Sequence, residues 1–231
     1  MQSVLITGAN RGLGYALASE FHQHGFQLLL VVRREASKAA LMSHFPEAKV
    51  LVSDVTCENY EQKLTQFIGD TSIDVVINNA GTGSEAPSLF DVELGQLRKE
   101  FESHCIGAFS TVRGAVSALQ KSDNGIVINI SSRRGSLAMQ SRGAAKGSGC
   151  SYSYRIGKAS QNMLTLCLAD ELEALGIKVA AAHPGALLTD MSPPDAHMTP
   201  ELSASKLVSL VRSEAINSRD FLCMETGRLE W

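Results

Sequence analysis

Ser3-Val4-Leu5-Ile6-Thr7 runs without a break into Gly8-Ala9-Asn10-Arg11-Gly12-Leu13-Gly14. An apolar run of strand length that turns through glycines into a helical pattern (Leu13, Leu17, Ala18, Phe21) reads as one strand–turn–helix unit. Glycines at such a turn let backbone N–H groups and the positive end of the helix approach a phosphate with no Cβ in the way. The spacing is Gly-x₃-Gly-x-Gly and does not strictly match the generic GxGxxG fingerprint. Outward from this unit the same alternation repeats to the end of the chain. Strand-length apolar runs lie at 27–32, 49–53, 73–78, 125–131, 177–183 and 220–224. They lack polar alternation, as expected of parallel strands covered on both faces. Helical stretches fall between them at 35–45, 58–68, 92–120, 154–175 and 201–213. Right-handed crossovers then wind the chain into one Rossmann-type α/β domain over residues 1–231: a doubly wound sheet of about seven parallel strands, with helices on both faces. Residues 142–153 and 192–200 read as loops, the latter, with part of the helix after it, as a substrate lid over 192–213.

Composition narrows the class. The 231 residues are 44% hydrophobic and 19% charged, with a net charge of −3. A chain of this length buries about 70% of its unfolded surface and needs no disulfide or metal staple. The absence of a basic block argues against nucleic acid as a partner. The longest apolar runs fall far short of the ~20 residues of a membrane span. No signal peptide is visible at the start, so a cytoplasmic protein is expected. Five cysteines without a CxxC read as reduced, mostly buried thiols. Six histidines show no ligand spacing, so no metal is implied.

In the first unit of a repeated β/α pattern, the three glycines point to a dinucleotide site made by Thr7, Gly8, Asn10, Arg11, Gly12, Leu13 and Gly14. About twenty residues on, the second strand ends in Arg33-Arg34. An acidic residue there holds the ribose 2′-hydroxyl of NAD, whereas arginine suits the 2′-phosphate of NADP. With Arg11 nearby, NADP(H) is expected over NAD(H).

The chain resembles the short-chain dehydrogenase/reductase family over essentially its whole length. The matching pieces are the 7–14 loop, Asp54-Val55, Asn78-Asn79-Ala80-Gly81, Ser132, Tyr154-x₃-Lys158, Pro184-Gly185 and Thr189, in the family's order. The resemblance implies an oxidoreductase that transfers hydride to an aldehyde or ketone, or from the alcohol in reverse. It implies that Ser132 hydrogen-bonds the substrate oxygen, that Tyr154 is the general acid/base, and that Lys158 holds the nicotinamide ribose. It also carries over cofactor contacts: Asp54 and Val55 at the adenine, residues 78–81 (Asn79, Ala80 and Gly81 among them) along the adenosine half, and Pro184, Gly185, Leu187 and Thr189 along the nicotinamide. Features of residues 132–158 and of the chain's end are similar to the C-factor and Sniffer-type branch, which includes carbonyl reductases and signalling proteins. A homodimer or homotetramer through the fourth and fifth long helices is implied too.

The chemistry of the pair is open to independent reasoning. Tyr154 and Lys158, at i and i+4, share one helix face. An ammonium about 4 Å from the phenol, at an effective dielectric of ~20, would be worth ~4 kcal/mol and lower its pKa by roughly three units. Ser132 is preferred to Ser131 because Gly135 follows it by three, and Tyr154 to Tyr152 because only Tyr154 has a lysine four residues on. One departure stands out: His104 occupies the place where the family usually has asparagine. Imidazole also donates, accepts and relays protons. Arg133, Arg134, Arg142 and Lys146 read either as a gate for a polar substrate or as a solvated, mobile loop. An alternative function is a dinucleotide-binding signalling or redox-sensing protein with incidental catalysis. Epimerase or dehydratase chemistry is a third reading, disfavoured because the extended relatives that perform it usually append a C-terminal substrate domain, and here no more than about 40 residues follow Thr189.

Overall fold

The computed structural model describes residues 1–83, 88–188 and 196–231. Its centre is a sheet of eight strands: β1 (Ser3–Thr7), β2 (Gln27–Val32), β3 (Lys49–Val52), β4 (Val75–Asn78), β5 (Ile126–Ile130), β6 (Lys178–His183), β7 (Phe221–Cys223) and β8 (Gly227–Arg228). Their order is β3-β2-β1-β4-β5-β6-β7-β8. Seven strands are parallel, as expected. The eighth, two residues long, pairs antiparallel with β7 and is too short to leave a hydrophobic pattern in the sequence.

Alternation along each strand feeds two cores. Val4, Ile6, Leu28 and Leu30 face α1 (Gly12–Gln23), α2 (Glu35–His44) and α8 (Pro200–Arg212). Leu5, Leu29, Val76 and Val127 face α3 (Tyr60–Ile68), α5 (Gly107–Leu119) and α7 (Tyr152–Leu172). This period-2 division of wholly apolar strands is what a sheet buried on both faces requires. Helix α8 begins with proline at its first position, and Thr199 accepts a hydrogen bond from the Leu202 N–H at 3.2 Å. Its buried face (Ala204, Leu207, Val208) belongs to the core. Residues 192–195 of the expected lid lie outside the described residues.

The helix expected over 92–120 is divided. It consists of α4 (Leu94–Phe101), a π-helical turn over Glu102–Ile106, and α5. Such a turn widens the helix locally and re-aims the side chains on it, and π-turns recur at functional sites. His104 lies inside it. The thiols also depart from expectation: Cys223 is buried, Cys105 and Cys150 are half-buried, and Cys57 and Cys167 are exposed. Cys167 sits on the outer face of α7, whose buried positions run through Thr165, Leu168 and Leu172. The segment from Arg133 to Ser151 is fastened rather than a free loop. It holds a short helix, α6 (Leu137–Ser141). Arg134 donates to the Ala144 carbonyl at 2.7 Å, Arg142 pairs with Glu230, and the Ala138 N–H donates to the Trp231 carbonyl at 2.8 Å. No described helix is long and apolar enough to cross a membrane.

Candidate active site

Strand order reverses between β1 and β4, and the crevice beyond the carboxyl ends of these strands is the natural ligand position in a sheet of this kind. A cavity of about 540 Å³ lies there. Gly8, Asn10, Arg11, Gly12, Leu13 and Gly14 line one end of it, Arg33, Asp54 and Val55 the next stretch, and Asn79, Ala80 and Gly81 the side. His104, Tyr154, Lys158, Leu187 and Leu188 line the other end.

The β1–α1 turn is stitched to the end of β4. The Thr7 hydroxyl accepts from the Asn79 and Ala80 N–H groups, both at 3.0 Å. Asn79 Nδ2 donates to the Thr7 and Gly8 carbonyls at 3.0 and 3.2 Å. Thr7 is therefore buried and positions the turn from behind rather than lining the crevice. Gly8 has φ +69°, and a Cβ there would stand 3.0 Å from Ala80 Cα. A Cβ on Gly14 would strike the Gly8 carbonyl and lie 2.5 Å from Asn79 Nδ2. Only glycine fits at these two positions, which leaves an open, amide-lined cradle for a phosphate.

Arg33 lines the crevice where β2 ends, while Arg34 is the residue that opens α2 and lies off it. The Asp54 carboxylate accepts from Thr56 N and Oγ1 at 3.0 and 2.9 Å, which fixes its loop beside the crevice. Asn78 does not line it. Its amide turns inward, donating to Asn129 Oδ1 at 2.8 Å, and Asn129 in turn donates to Thr165 Oγ1 at 2.8 Å. Pro184 and Gly185 stand behind the lining formed by Leu187 and Leu188, with the Pro184 carbonyl accepting from Ser203 Oγ at 2.7 Å. Thr189 lies outside the described residues.

Helix α7 delivers Tyr154 and Lys158. Ser151 caps it by accepting from the Tyr154 N–H at 3.2 Å. Ser132 is hydrogen-bonded to the Tyr154 phenol, and its oxygen also accepts from the Arg134 N–H at 3.1 Å. Ser131, which lines the cavity where Ser132 does not, donates instead to Asn162 Oδ1. Tyr152 projects outward. The expected lowering of the Tyr154 pKa is not what this arrangement gives. Desolvation pushes the phenol up to about 12, against the Ser132 hydrogen bond. The reason is geometric: Lys158 Nζ stands 5.9 Å from the ring centroid and gives its hydrogen bonds to the Ile130 carbonyl (2.6 Å) and Gln161 Oε1 (3.0 Å). Burial lowers Lys158 itself to about 7, opposed by the charge of Glu100.

His104 is buried, with Nε2 2.7 Å from the Thr82 carbonyl. A carbonyl only accepts, so Nε2 carries the proton, and Nδ1 is a buried acceptor without a hydrogen-bond partner among the described residues. Burial first, and then the charge of Lys158, hold its pKa well below the usual value, so the ring is neutral. It stands edge-on to Tyr154, with centroids 5.7 Å apart. Gly81 and Gly157 make room for it, since Cβ atoms there would lie 2.5 Å and 3.0 Å from its ring.

Sequence reading missed Glu100 and Gln161. Glu100 is wholly buried and accepts from Gln96 Nε2 (2.8 Å) and Ser153 Oγ (3.1 Å), and its second oxygen has no hydrogen-bond partner among the described residues. The available signal was helical spacing: Glu100 precedes His104 by four, and Gln161 follows Lys158 by three.

Sheet topology, glycine turn and Tyr–Lys pair together define an oxidoreductase of the dinucleotide-binding class. The chain belongs to the short chain dehydrogenase family, whose sequence model matches residues 2–199. It is 30% identical over 217 residues to 1-hydroxy-2-glutathionyl-2-methyl-3-butene dehydrogenase of Rhodococcus sp. strain AD45, covering 90% of this chain and 89% of that protein. It is also 30% identical over 192 residues to 3-amino-tetrahydro-pyrrolizinone reductase of Xenorhabdus hominickii, a match that covers 81% of this chain and spans 62% of that protein's length. Among solved structures, a carbonyl reductase from Pseudomonas aeruginosa PAO1 in complex with NADP is similar along the whole of both chains, with a TM-score of 0.82 and 27% identity. The carbonyl reductase Sniffer of D. melanogaster shares the fold along the whole of both chains, with a TM-score of 0.88 and 24% identity.

Proposed function

We propose that the protein is an NADPH-dependent carbonyl reductase acting on small aldehydes or ketones. The observation that carries this reading is the Tyr154–Lys158 pair at one end of a crevice whose other end is a glycine cradle beside Arg33, with Ser132 hydrogen-bonded to the Tyr154 phenol from behind the lining. Gly8, Asn10, Arg11, Gly12 and Gly14 would hold the pyrophosphate, and Arg33 the 2′-phosphate. Val55 and Asp54 flank the adenine end, and Leu187 and Leu188 wall the nicotinamide end. The dinucleotide, when bound, supplies the hydride. Ser132 orients the carbonyl oxygen, and Tyr154 gives it the proton from a phenol that desolvation keeps protonated at neutral pH. Reduction suits that protonation state, since the group begins as an acid. Lys158, set by Gln161 and the Ile130 carbonyl, holds the ribose and lies close to neutrality in its titration. His104 would take the relay role of the family's asparagine through its Nδ1 acceptor. Matching of the dinucleotide is supported by the P. aeruginosa reductase solved in complex with NADP.

Two further elements belong to this reading. Phe101, Ile106 and Phe109 on the α4–α5 rod and Ile156 and Met163 on α7 are exposed apolar residues of helices that pack together. They support a homodimer or homotetramer, which sedimentation velocity tests. The exposed free thiols Cys57 and Cys167 suit the reducing cytoplasm. The functional test is a panel of aldehydes and ketones with NADPH and with NADH, in the wild type and in Arg33→Asp. Turnover with NADPH above NADH, weakened or reversed in Arg33→Asp, is expected. Tight NADPH binding without oxidation on any carbonyl would favour a dinucleotide sensor instead.

A further inference from the structure

The carboxyl ends of β6 and β7 carry a second cluster, apart from the crevice. His183 is the last residue of β6 and is paired in parallel register with Cys223, the last residue of β7. Paired residues of neighbouring parallel strands present their side chains to the same face, and Glu225, two residues beyond Cys223, continues that face. One imidazole nitrogen of His183, the Cys223 sulfur and a Glu225 carboxylate oxygen all lie within 4.8 Å of one another. His183 and Cys223 are buried, and the Glu225 side chain is only 16% exposed. A fourth donor reaches the same carboxylate: His197 Nε2 lies 2.8 Å from Glu225 Oε1.

Nitrogen, thiolate and carboxylate donors at tetrahedral positions around zinc stand roughly 3.5 Å apart, given bonds of about 2.0–2.3 Å. The separations among His183, Cys223 and Glu225, at most 4.8 Å, close to that value with side-chain shifts of about 1 Å, and His197, which touches only Glu225 of the three, reaches the group by rotation of its exposed side chain. Mixed N/S/O donors suit a borderline-soft divalent ion, whereas magnesium and calcium call for an all-oxygen set. We infer that His183, Cys223 and Glu225 form a zinc-binding site, closed by His197 as the fourth ligand. Binding releases the Cys223 thiol proton to solvent and involves no redox change.

The position gives such a site a consequence. Residues 186–188 and 197–198 already run side by side: the His197 and Met198 N–H groups donate to the Ala186 carbonyl at 3.0 and 3.1 Å, and the Leu188 N–H donates to the Met198 carbonyl at 2.8 Å. A metal held by His183, Cys223, Glu225 and His197 would clasp this pair of segments to the sheet. Leu187 and Leu188 would be set with them, as the wall of the crevice.

Cobalt(II) titration of the reduced, chelator-stripped protein tests this. One equivalent is expected to give a near-ultraviolet thiolate-to-cobalt charge-transfer band, bleached by one equivalent of zinc. Cys223→Ser should lose the band. His197→Ala should keep it with affinity weakened about tenfold or more. Should Cys223→Ser fail to fold, Glu225→Gln, altered at a partly exposed position, is expected to weaken cobalt binding by at least a similar factor. The inference is overturned if the wild type gives no charge-transfer band, if the band survives in folded Cys223→Ser and so arises from exposed Cys57 or Cys167, or if Glu225→Gln binds cobalt as the wild type does.

Discussion

Gly14→Ala is the sharpest test of the cradle, because two effects of known size oppose each other there. Gly14 is the third residue of α1, and in an unobstructed helix Gly→Ala stabilises by up to about 1 kcal/mol. At this position the new Cβ meets the Gly8 carbonyl group, 3.0 Å from its carbon and closer to its oxygen, and lies 2.5 Å from Asn79 Nδ2. The atoms struck are backbone and a side chain held by two hydrogen bonds, so relief requires the β1–α1 turn itself to move. Overpacking of this kind costs up to about 3 kcal/mol. The net expectation is a loss of about 2 kcal/mol, or about 1 M in the urea midpoint for m near 2 kcal/mol/M. Gly95 is the internal control: it lies in the first turn of α4 with nothing among the described residues within 4 Å of a Cβ, so Gly95→Ala should stabilise by about 0.5 kcal/mol. Urea denaturation followed by circular dichroism reads both, and NADPH fluorescence titration reads the cradle. Gly14→Ala should also bind NADPH at least tenfold more weakly. A Gly14→Ala protein as stable as the wild type, with unchanged NADPH affinity, would show that the turn accommodates a Cβ and that the cradle does not require glycine there.

Burial of Lys158 makes stability depend on pH. Its pKa in the fold, about 7, lies below the ordinary 10.5, so between these values the unfolded chain binds more protons and stability rises with pH. Measured from pH 7 to 9.5, below the range where Tyr154 loses stability as pH rises past 10, the Lys158 contribution is at most about 3 kcal/mol, and Cys105 and Cys150, whose thiols burial pushes up, work against it toward the top of the window. Lys158→Met should flatten that rise, and an unchanged slope in urea-melt series would contradict it. Glu100→Gln keeps the packing and removes the charge that supports the Lys158 ammonium. The Lys158 titration, followed by NMR of labelled lysine, should move down, and no movement would remove Glu100 from the site's electrostatics. His104→Asn should retain or raise turnover, while its abolition in a stably folded protein would give His104 a catalytic role of its own.

Local rules carried much of this molecule. Wholly apolar strand runs and the helices between them gave the doubly wound sheet, and the Tyr154-x₃-Lys158 spacing gave a shared face that α7 realises. What local rules could not supply was direction and distance across elements. Lys158 sits near Tyr154 in sequence and helix turn, yet burial of the phenol raises its pKa, while the lysine ammonium, drawn off by the Ile130 carbonyl on β5, does not bring it down. Glu100 reads as one more charge on a polar helix until packing of α4 on α7 buries it against Ser153. Asn78 lies in the motif but faces inward, because the strand's alternation turns its neighbour Asn79 toward the glycine turn. His183, Cys223 and Glu225 are joined only by strand register between β6 and β7, which no spacing rule for metal ligands detects.

The role proposed for Tyr154 is to deliver the proton in carbonyl reduction by NADPH. The direct measurement is NADPH oxidation at saturating carbonyl in the wild type and in Tyr154→Phe, with NADPH affinity determined separately by fluorescence. A turnover loss on the order of 10²–10⁴ is expected in Tyr154→Phe, with NADPH affinity changed by no more than about twofold. Turnover retained in Tyr154→Phe with NADPH bound would contradict it.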